Sequence, residues 1–517
     1  MQRTIAEQII KKLQNGNDVR GCAIATNTEP KTLSEGIVSL IAAAFVSFVS
    51  STTGKAAETL RIGVGHDSRV SAESLKSACF AGLNCKCYDC GLISTPAMFQ
   101  STILPKSDFD GAIMLTASHL PFNRNGMKFF TKDGAINKSQ LASILDKAIE
   151  LACQFGTSDA DGLIAANGLD LGNRTIQAID MVEIYATHIR NLIKKSVNAE
   201  DYDHPLAGLH IIEDAGNGAA GFYATQILAP LGADVSGSVF LDPDGSFPNH
   251  IPNPEDATAM AAAQKATLDA HADLGVIFDC DGDRGAVVFH DGTEVNRNTL
   301  IALLATIIAE SAPHSTIVTD SVTSDELADY LENTLGLKHL RYKRGYKNVI
   351  DKAIELNQNG ENSELAIETS GHGAFKENYF SDDGAYIATK IICKMAQLKK
   401  YGKNIESLIS GLKQPAESRE VRFKITETDF VSYGKRVLED FRMFAESQPL
   451  FHIVEPNHEG IRIRFDDAEV HGWMLLRMSL HDPAMPMNVE SSAAGGTDII
   501  MQRLAPFFAK YAELVRV

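Results

Sequence analysis

The chain lacks the short motifs that announce the commonest phosphate and acyl chemistries. Its 517 residues contain no GxxxxGK[ST] loop and no GxSxG elbow, which weakens simple kinase and hydrolase readings. Paired CxxC knuckles are missing too. The eight cysteines are Cys22, Cys79, Cys85, Cys87, Cys90, Cys153, Cys280 and Cys393, four of them within 79–90. In NCKCYDCG, Cys85 and Cys87 stand two apart, as on one face of a strand, with no histidine nearby. Reduced structural thiols fit that pattern better than zinc. Basic residues are in deficit: 48 Lys and Arg against 66 Asp and Glu give a net charge of -18. Such a surface repels nucleic acid and anionic membranes, so neither is an expected partner. It also repels an anionic metabolite, unless Arg and Lys gather locally. The N-terminus, MQRTIAEQIIKKLQNGNDVRG, scatters its charges and shows no apolar core before a cleavage site, so a secretory leader is not expected. The most apolar stretch, IVSLIAAAFVSFVS (37–50), is short and serine-rich for a bilayer span and reads as a buried helix. A soluble, cytoplasmic protein is the expectation.

Composition is otherwise ordinary, with 44% hydrophobic and 22% charged residues. At ~150 residues per domain the length predicts three or four domains. Short Ile- and Val-rich runs, such as RIGVG (61–65), LHIIED (209–214), LGVIFD (274–279), TIVTD (316–320) and ELAIE (364–368), alternate with helical patterns. That alternation predicts α/β domains with mostly parallel sheets covered on both faces. Three such units fall at roughly 1–185, 186–298 and 299–412. A linking helix, YATHIRNLIKK (185–195), followed by the polar SVNAEDYDHP (196–205), separates the first two. Residues 413–517 change character, with strands IRIRF (461–465) and WMLLRMS (473–479) and a helix over 497–514. They predict a smaller α+β domain.

Four polar segments stand out against this background. TASHLPFNRNGMK (116–128) lies between the apolar runs GAIML (111–115) and MKFF (127–130), and carries Ser118 with His119 beside it and Lys128 downstream. A serine hydroxyl needs a neighbouring base, cation or metal to become a nucleophile; taken alone, an ordinary turn fits as well. In FDCDGDRGAVV (278–288), Asp279, Asp281 and Asp283 alternate around Gly282, with Arg284 alongside. Three carboxylates without His or Cys suit magnesium or manganese. An EF-hand fails, because its sixth and twelfth positions would be Arg284 and His290. IETSGHGAFKEN (367–378) presents Glu368, Ser370 and His372 on a glycine-rich loop, a hydroxyl-binding surface or a plain loop. LLRMSLHDP (475–483) delivers Arg477, Ser479 and His481 into a loop ended by Pro483; Arg with hydroxyl donors is what a phosphate dianion needs. GNGAAG (216–221), with Asp242 and Asp244 beyond it, fits the dinucleotide fingerprint. A lone match is weak, and that fold would place it early in the chain.

In this order the four segments resemble the α-D-phosphohexomutase superfamily, of the phosphoglucomutase/phosphomannomutase type. TASH with the later NG and K looks like its phosphoserine loop, DCDGDR (279–284) its metal loop, ETSGH (368–372) its sugar loop and RMSLHDP (477–483) its phosphate loop; DVRG (18–21) and GHDSRVS (65–71) add two landmarks. The resemblance implies three similar mixed-sheet α/β domains plus a smaller C-terminal α+β domain around a central cleft. It implies a phosphoserine at Ser118 and one Mg2+ held by Asp279, Asp281, Asp283 and a Ser118 phosphoryl oxygen. Lys128, His372 and Arg20, with His119, would form the catalytic set. Arg284, Glu368, Ser370, Arg477, Ser479 and His481 would bind substrate. The expected activity interconverts hexose 1- and 6-phosphates, of glucose or mannose, through a bisphosphate that also serves as activator. The partners are small phosphosugars, and the chain would be a monomer or homodimer. Phosphoglucosamine mutase is the close rival, and a non-catalytic sugar-phosphate-binding regulator the alternative of another class. Two departures mark the sequence. Leu480 and His481 replace the small residue and Thr of the usual Arg-Pro-Ser-Gly-Thr-Glu-Pro, and His66 stands where Arg is common.

Overall fold

A computed structural model describes residues 3–154, 175–479 and 482–517. The chain forms two compact units, one of Met1–Asn296 with Ser370–Ile405, the other of Arg297–Thr369 with Glu406–Val517.

The first unit contains two mixed α/β sheets. Strands Arg61–His66, Lys86–Leu92 and Gly111–Leu115 run parallel, with Ile176–Ala178 parallel at one edge. Arg124–Thr131 then pairs antiparallel with Gly111–Leu115, and Asp18–Cys22 antiparallel with Arg124–Thr131. The return is forced by length: a parallel crossover takes a dozen or more residues, and the 116–123 connection is shorter. The second sheet repeats the device. Leu274–Phe278 lies parallel to Ile211–Asp214, and the chain turns back through 279–284 into Gly285–Phe289. Each sheet is therefore less parallel than the apolar runs alone predict. Both of its hairpin loops, one with Ser118 and one with the aspartate triad, leave the carboxyl end of a fully buried strand, where open α/β sheets bind ligands.

The apolar stretch at 37–50 belongs to a 19-residue helix, Glu35–Thr53, that starts with the Ser34 side chain accepting from the Ile37 N–H and ends at left-handed Gly54. By length and composition alone it could cross a bilayer. Its inward face is instead packed into the domain core, where Phe45 meets Phe129 with ring centroids 4.9 Å apart. Cys79, Cys87 and Cys90 are buried free thiols, and burial pushes the thiols of Cys79 and Cys90 far up. The glycines of GNGAAG serve the fold. A Cβ on Gly218 would lie 2.5 Å from the Cys280 carbonyl oxygen, and one on Gly221 2.3 Å from that of Leu241. The chain's own backbone fills the space a pyrophosphate would need.

Behind that loop, His250 Nε2 sits 3.1 Å from both carboxylate oxygens of Asp214, and the pair is buried. Burial lowers the imidazole, but the Asp214 bond and charge outweigh it and raise it above its ordinary value. A raised histidine stabilises the fold fully below its ordinary pKa and loses that contribution as pH rises through the raised one. His250→Gln should therefore cost about 3 kcal/mol at pH 6, the scale for breaking a buried pair, and distinctly less at pH 9. Thermal unfolding at the two pH values checks the sign; an equal or larger cost at pH 9 contradicts it.

In the second unit, strands Thr316–Thr319, Lys338–Arg341 and Ser363–Ile367 run parallel, with helices Arg297–Ser311 and Tyr346–Gln358. The remainder is a six-stranded antiparallel sheet in the order His452–Ile453, Ile461–Asp466, His471–Leu476, Ala484–Ser491, Glu417–Ile425, Leu514–Arg516. Helices Phe430–Glu446 and Gly496–Phe508 accompany it. The last helix is shorter than 497–514, because Leu514–Arg516 leaves to pair with Glu417–Ile425. Arg462, fully buried, lies 3.6 Å over the Trp473 ring and donates to the carbonyls of Ser321 and Thr323 and to Asp325. One guanidinium thus ties this sheet to the loop after Thr316–Thr319. Three α/β domains and a β-rich C-terminal domain are the architecture expected from the sequence.

Candidate active site

Everything the sequence placed around Ser118 meets in the first unit. Ser118 adopts a left-handed backbone, φ +50°, a conformation that costs a non-glycine residue about 1 kcal/mol and persists only where surroundings impose it. They do. The Ser118 N–H donates to Thr116 Oγ1 at 2.8 Å, and that hydroxyl donates to Asp67 Oδ2 at 2.6 Å. Arg69, 1% exposed, donates to the carbonyls of Ser118, Leu120, Pro121 and Arg124. Asp67 in turn holds the Arg69 guanidinium at 3.2 Å. Arg20 donates to the Thr116 carbonyl at 2.9 Å and to Asp18. The loop is a clamped turn rather than a mobile one.

The clamp brings Ser118 to the aspartate loop, 161 residues away in sequence: Ser118 Oγ donates to Asp279 Oδ2 at 2.9 Å. Arg284 donates to Asp279 at 3.1 Å, to Ser118 Oγ at 3.3 Å and to His119 Nδ1 at 2.6 Å. Gly282 makes the aspartate turn at φ +72°, where a Cβ would also crowd Ser94 Cβ at 3.2 Å. Lys128, 4% exposed, places Nζ 3.0 Å from Asp281 Oδ2 and in contact with Asp283 Oδ2. His372 Nδ1 is 2.6 Å from Asp382 Oδ2 and 4.0 Å from Asp283 Oδ1, and its backbone bridges that of Arg284. Ser370 is buried beside it in the loop.

The charges are uneven by design of their surroundings. Burial and then the Asp283 carboxylate push Asp279 up to about 8. Against burial, Lys128 and the Thr95 hydroxyl hold Asp281 far below its ordinary value. Burial and then Arg284 and Arg20 push His119 down to about 3, so it is neutral and accepts from Arg284. His372 behaves oppositely: burial lowers it, but Asp382 and Asp283 win and raise it to about 9. It is an imidazolium at neutral pH.

The triad fits a hard divalent cation. One oxygen of each of Asp279, Asp281 and Asp283 lies within 4.8 Å of the others. The buried Oδ1 atoms of Asp281 and Asp283 have no hydrogen-bond partner, which is costly unless an ion completes them. Among the described residues the other group able to hold a metal is Asp283, His372 and Asp382; neither includes a cysteine.

The second unit carries the remaining predicted residues. Glu368 Oε1 accepts the Gly345 N–H at 2.5 Å. Arg477 is 5% exposed at the end of its strand, and Ser479 Oγ accepts the Asp482 N–H at 3.2 Å. Leu480 and His481 lie outside the described residues. His66, in place of the usual Arg, hydrogen-bonds the Asp67 carbonyl at 2.8 Å and reaches Glu73 at 3.2 Å. Sequence reasoning missed the work of Arg69, Asp67, Thr95 and Asp382. Arg69 and Asp67 stand in GHDSRVS, so the signal was there without the role.

Three family models match the chain in order: the phosphoglucomutase/phosphomannomutase alpha/beta/alpha domains I, II and III, over residues 11–152, 183–292 and 296–415. The chain belongs to this family. It is an enzyme, a phosphotransferase of the mutase kind. Among curated relatives it is 26% identical over 463 residues to the phosphomannomutase/phosphoglucomutase of Pseudomonas putida, covering 88% of each chain. It is 26% identical over 505 residues to the phosphoglucomutase of Neisseria meningitidis, covering 96% of each. A phosphoglucosamine mutase from Corynebacterium jeikeium is 27% identical over 437 residues, with 83% of this chain and 88% of that one covered. Among solved structures, a phosphoglucomutase/phosphomannomutase family protein from Burkholderia thailandensis shares the fold with a TM-score of 0.76 at 24% identity, covering 99% of both chains.

Proposed function

We propose that this mutase interconverts hexose 1-phosphate and hexose 6-phosphate, of glucose or mannose, through a phosphoserine at Ser118 and a hexose bisphosphate. The observation that carries the reading is the 2.9 Å hydrogen bond from Ser118 Oγ to Asp279. It joins a strained, clamped hydroxyl to three clustered carboxylates, two of which keep a buried oxygen without a hydrogen-bond partner. Bound at Asp279, Asp281, Asp283 and the phosphoserine, Mg2+ would supply charge neutralisation for the transferring phosphoryl group. A solved N-acetylphosphoglucosamine mutase from Aspergillus fumigatus, in complex with GlcNAc-6P and magnesium, supports a phosphosugar and that ion. The four-part division at 1–185, 186–298, 299–412 and 413–517 belongs to the same proposal, one loop to each part.

In the first transfer a sugar hydroxyl oxygen bonds to the phosphorus while the bond from phosphorus to Ser118 Oγ breaks, and the proton the sugar loses is the one the serine regains. In the return transfer Ser118 Oγ bonds to the other phosphorus while that phosphorus parts from its sugar oxygen, and the proton moves back from serine to sugar, so the cycle is neutral overall. His372, held as an imidazolium by Asp382, is the donor to the sugar oxygen when a phosphoryl group leaves it for the serine; Lys128 is the second candidate for proton transfer, and Arg20 is a fixed cation close by. His119, neutral and accepting from Arg284, steadies that guanidinium against Ser118 rather than acting as its base. Glu368 and Ser370 hold sugar hydroxyls, and Arg477, Ser479 and His481 the phosphate that is not reacting. Phosphoglucosamine mutase is the second reading, favoured by the Corynebacterium relative. A coupled panel over glucose, mannose, glucosamine and acetylglucosamine 1-phosphates, primed with glucose 1,6-bisphosphate, separates the two. We expect kcat/KM at least about tenfold higher for glucose or mannose; a preference for glucosamine would transfer the assignment.

A further inference from the structure

Arg477 follows directly on the strand His471–Leu476. It is 5% exposed, and its Nε is buried with no hydrogen-bond partner. The adjacent strand pairs Ile461 with Leu476, which sets Gly460 against Arg477. A Cβ on Gly460 would lie 2.9 Å from Arg477 Cβ, so only glycine admits this approach. The next residue back, Glu459, turns its carboxylate to a second loop. It accepts the Ser321 hydroxyl and, at 3.2 Å, the Arg344 backbone N–H. Glu368 accepts the neighbouring Gly345 N–H at 2.5 Å. Arg344 is thus pinned at its backbone between the carboxylate read as the sugar-binding group and the strand pair that presents Arg477. Its Nε lies 3.5 Å from Asp320 Oδ2, and its side chain is 23% exposed.

We propose that Arg344 is a second phosphate-gripping residue, which closes with Arg477 on the phosphate that is not being transferred. The inference rests on the mutase reading for the identity of that phosphate. A dianion accepting from two planar forks is what a pair of neighbouring guanidiniums recognises. Electrostatics agree: burial and the nearby Arg344 charge hold Arg477 below its ordinary value, against the pull of Glu459. A second cation also has a task here. The usual small residue and Thr of the phosphate loop are Leu480 and His481 in this sequence, so donors are taken from another loop.

The test is calorimetric titration of inorganic phosphate into the full-length, magnesium-free protein, alongside hexose phosphate kinetics. Arg344→Gln and Arg477→Gln should each weaken phosphate binding at least about tenfold. Arg344→Lys should fall between wild type and Gln, and keeps the comparison valid if the Gln variant folds poorly. In turnover, Arg344→Gln should raise KM more than it lowers kcat. An unchanged phosphate affinity in Arg344→Gln while Arg477→Gln weakens it overturns the inference and leaves the mutase reading standing. No phosphate binding to the wild type also overturns it. Phosphate binding that needs Arg344, in a protein that turns over no hexose phosphate, supports the site and sinks the mutase reading instead.

Discussion

Ser118→Ala should lower kcat on hexose 1-phosphates by about four orders of magnitude or more, the scale seen when a covalent nucleophile is removed. No neighbouring group can take its place. His119 is neutral and already accepts from Arg284, and the closest carboxylate, Asp279, is the one the serine itself donates to. The loss should be chemical and not structural. Alanine meets the same left-handed backbone at φ +50° and keeps the Arg69 and Thr116 bonds, which are to main-chain atoms. A melting temperature within about 3 °C of wild type is therefore expected, since the change in strain and the loss of the hydroxyl's hydrogen bonds together are worth about 1 kcal/mol. Incubation with glucose 1,6-bisphosphate should add one phosphoryl mass to the wild type and none to the variant. Undiminished turnover in Ser118→Ala, or phosphate on another residue of an active wild type, would remove the phosphoserine from the mechanism.

The residues behind this expectation are legible in the sequence because they are local. Ser118 and the aspartate triad each sit in a short polar segment bounded by continuous apolar runs, GAIML and MKFF in one case, LGVIF and GAVV in the other. Hairpins announce themselves that way. The direction of those strands was less legible. A strand buried on both faces reads the same whether its neighbour is parallel or antiparallel, and only the shortness of 116–123 and 279–284 tells them apart. The supporting residues were hidden for a different reason. Arg69 binds carbonyls 49 and 51 residues on, and Thr95 reaches an aspartate 186 residues away. Nothing in their own neighbourhoods marks a partner at that distance. Asp382 could have been suspected from its closeness to His372, but a carboxylate ten residues on is an ordinary surface residue until the turn returns it to 2.6 Å.

Chelation carries the other large effect. Removing divalent metal should reduce turnover by about a thousandfold or more, because the charge that develops on a transferring phosphoryl group would then lack the divalent cation that neutralises it. Mg2+ or Mn2+ should restore it. Asp281→Asn keeps the shape of the loop and the Thr95 contact but removes a ligand charge, so it should lower kcat by about 10²–10³-fold and raise the Mg2+ needed for half-activity. A readout free of catalysis follows from Asp279. Without metal its carboxyl stands at about 8, raised by burial and Asp283, so at pH 7 most molecules carry a proton there. A cation requires the ionised form, so Mg2+ binding must release protons at pH 7 and release few at pH 9. Affinity for Mg2+ should accordingly rise between pH 6 and 8 and level off above. Lightly buffered titration with a pH indicator, together with a metal-dependent rise in melting temperature, measures both without substrate. Full activity after exhaustive chelation would refute the metal's part in turnover. Metal binding without proton release would show that Asp279 is already ionised in the metal-free protein or that the ion sits elsewhere.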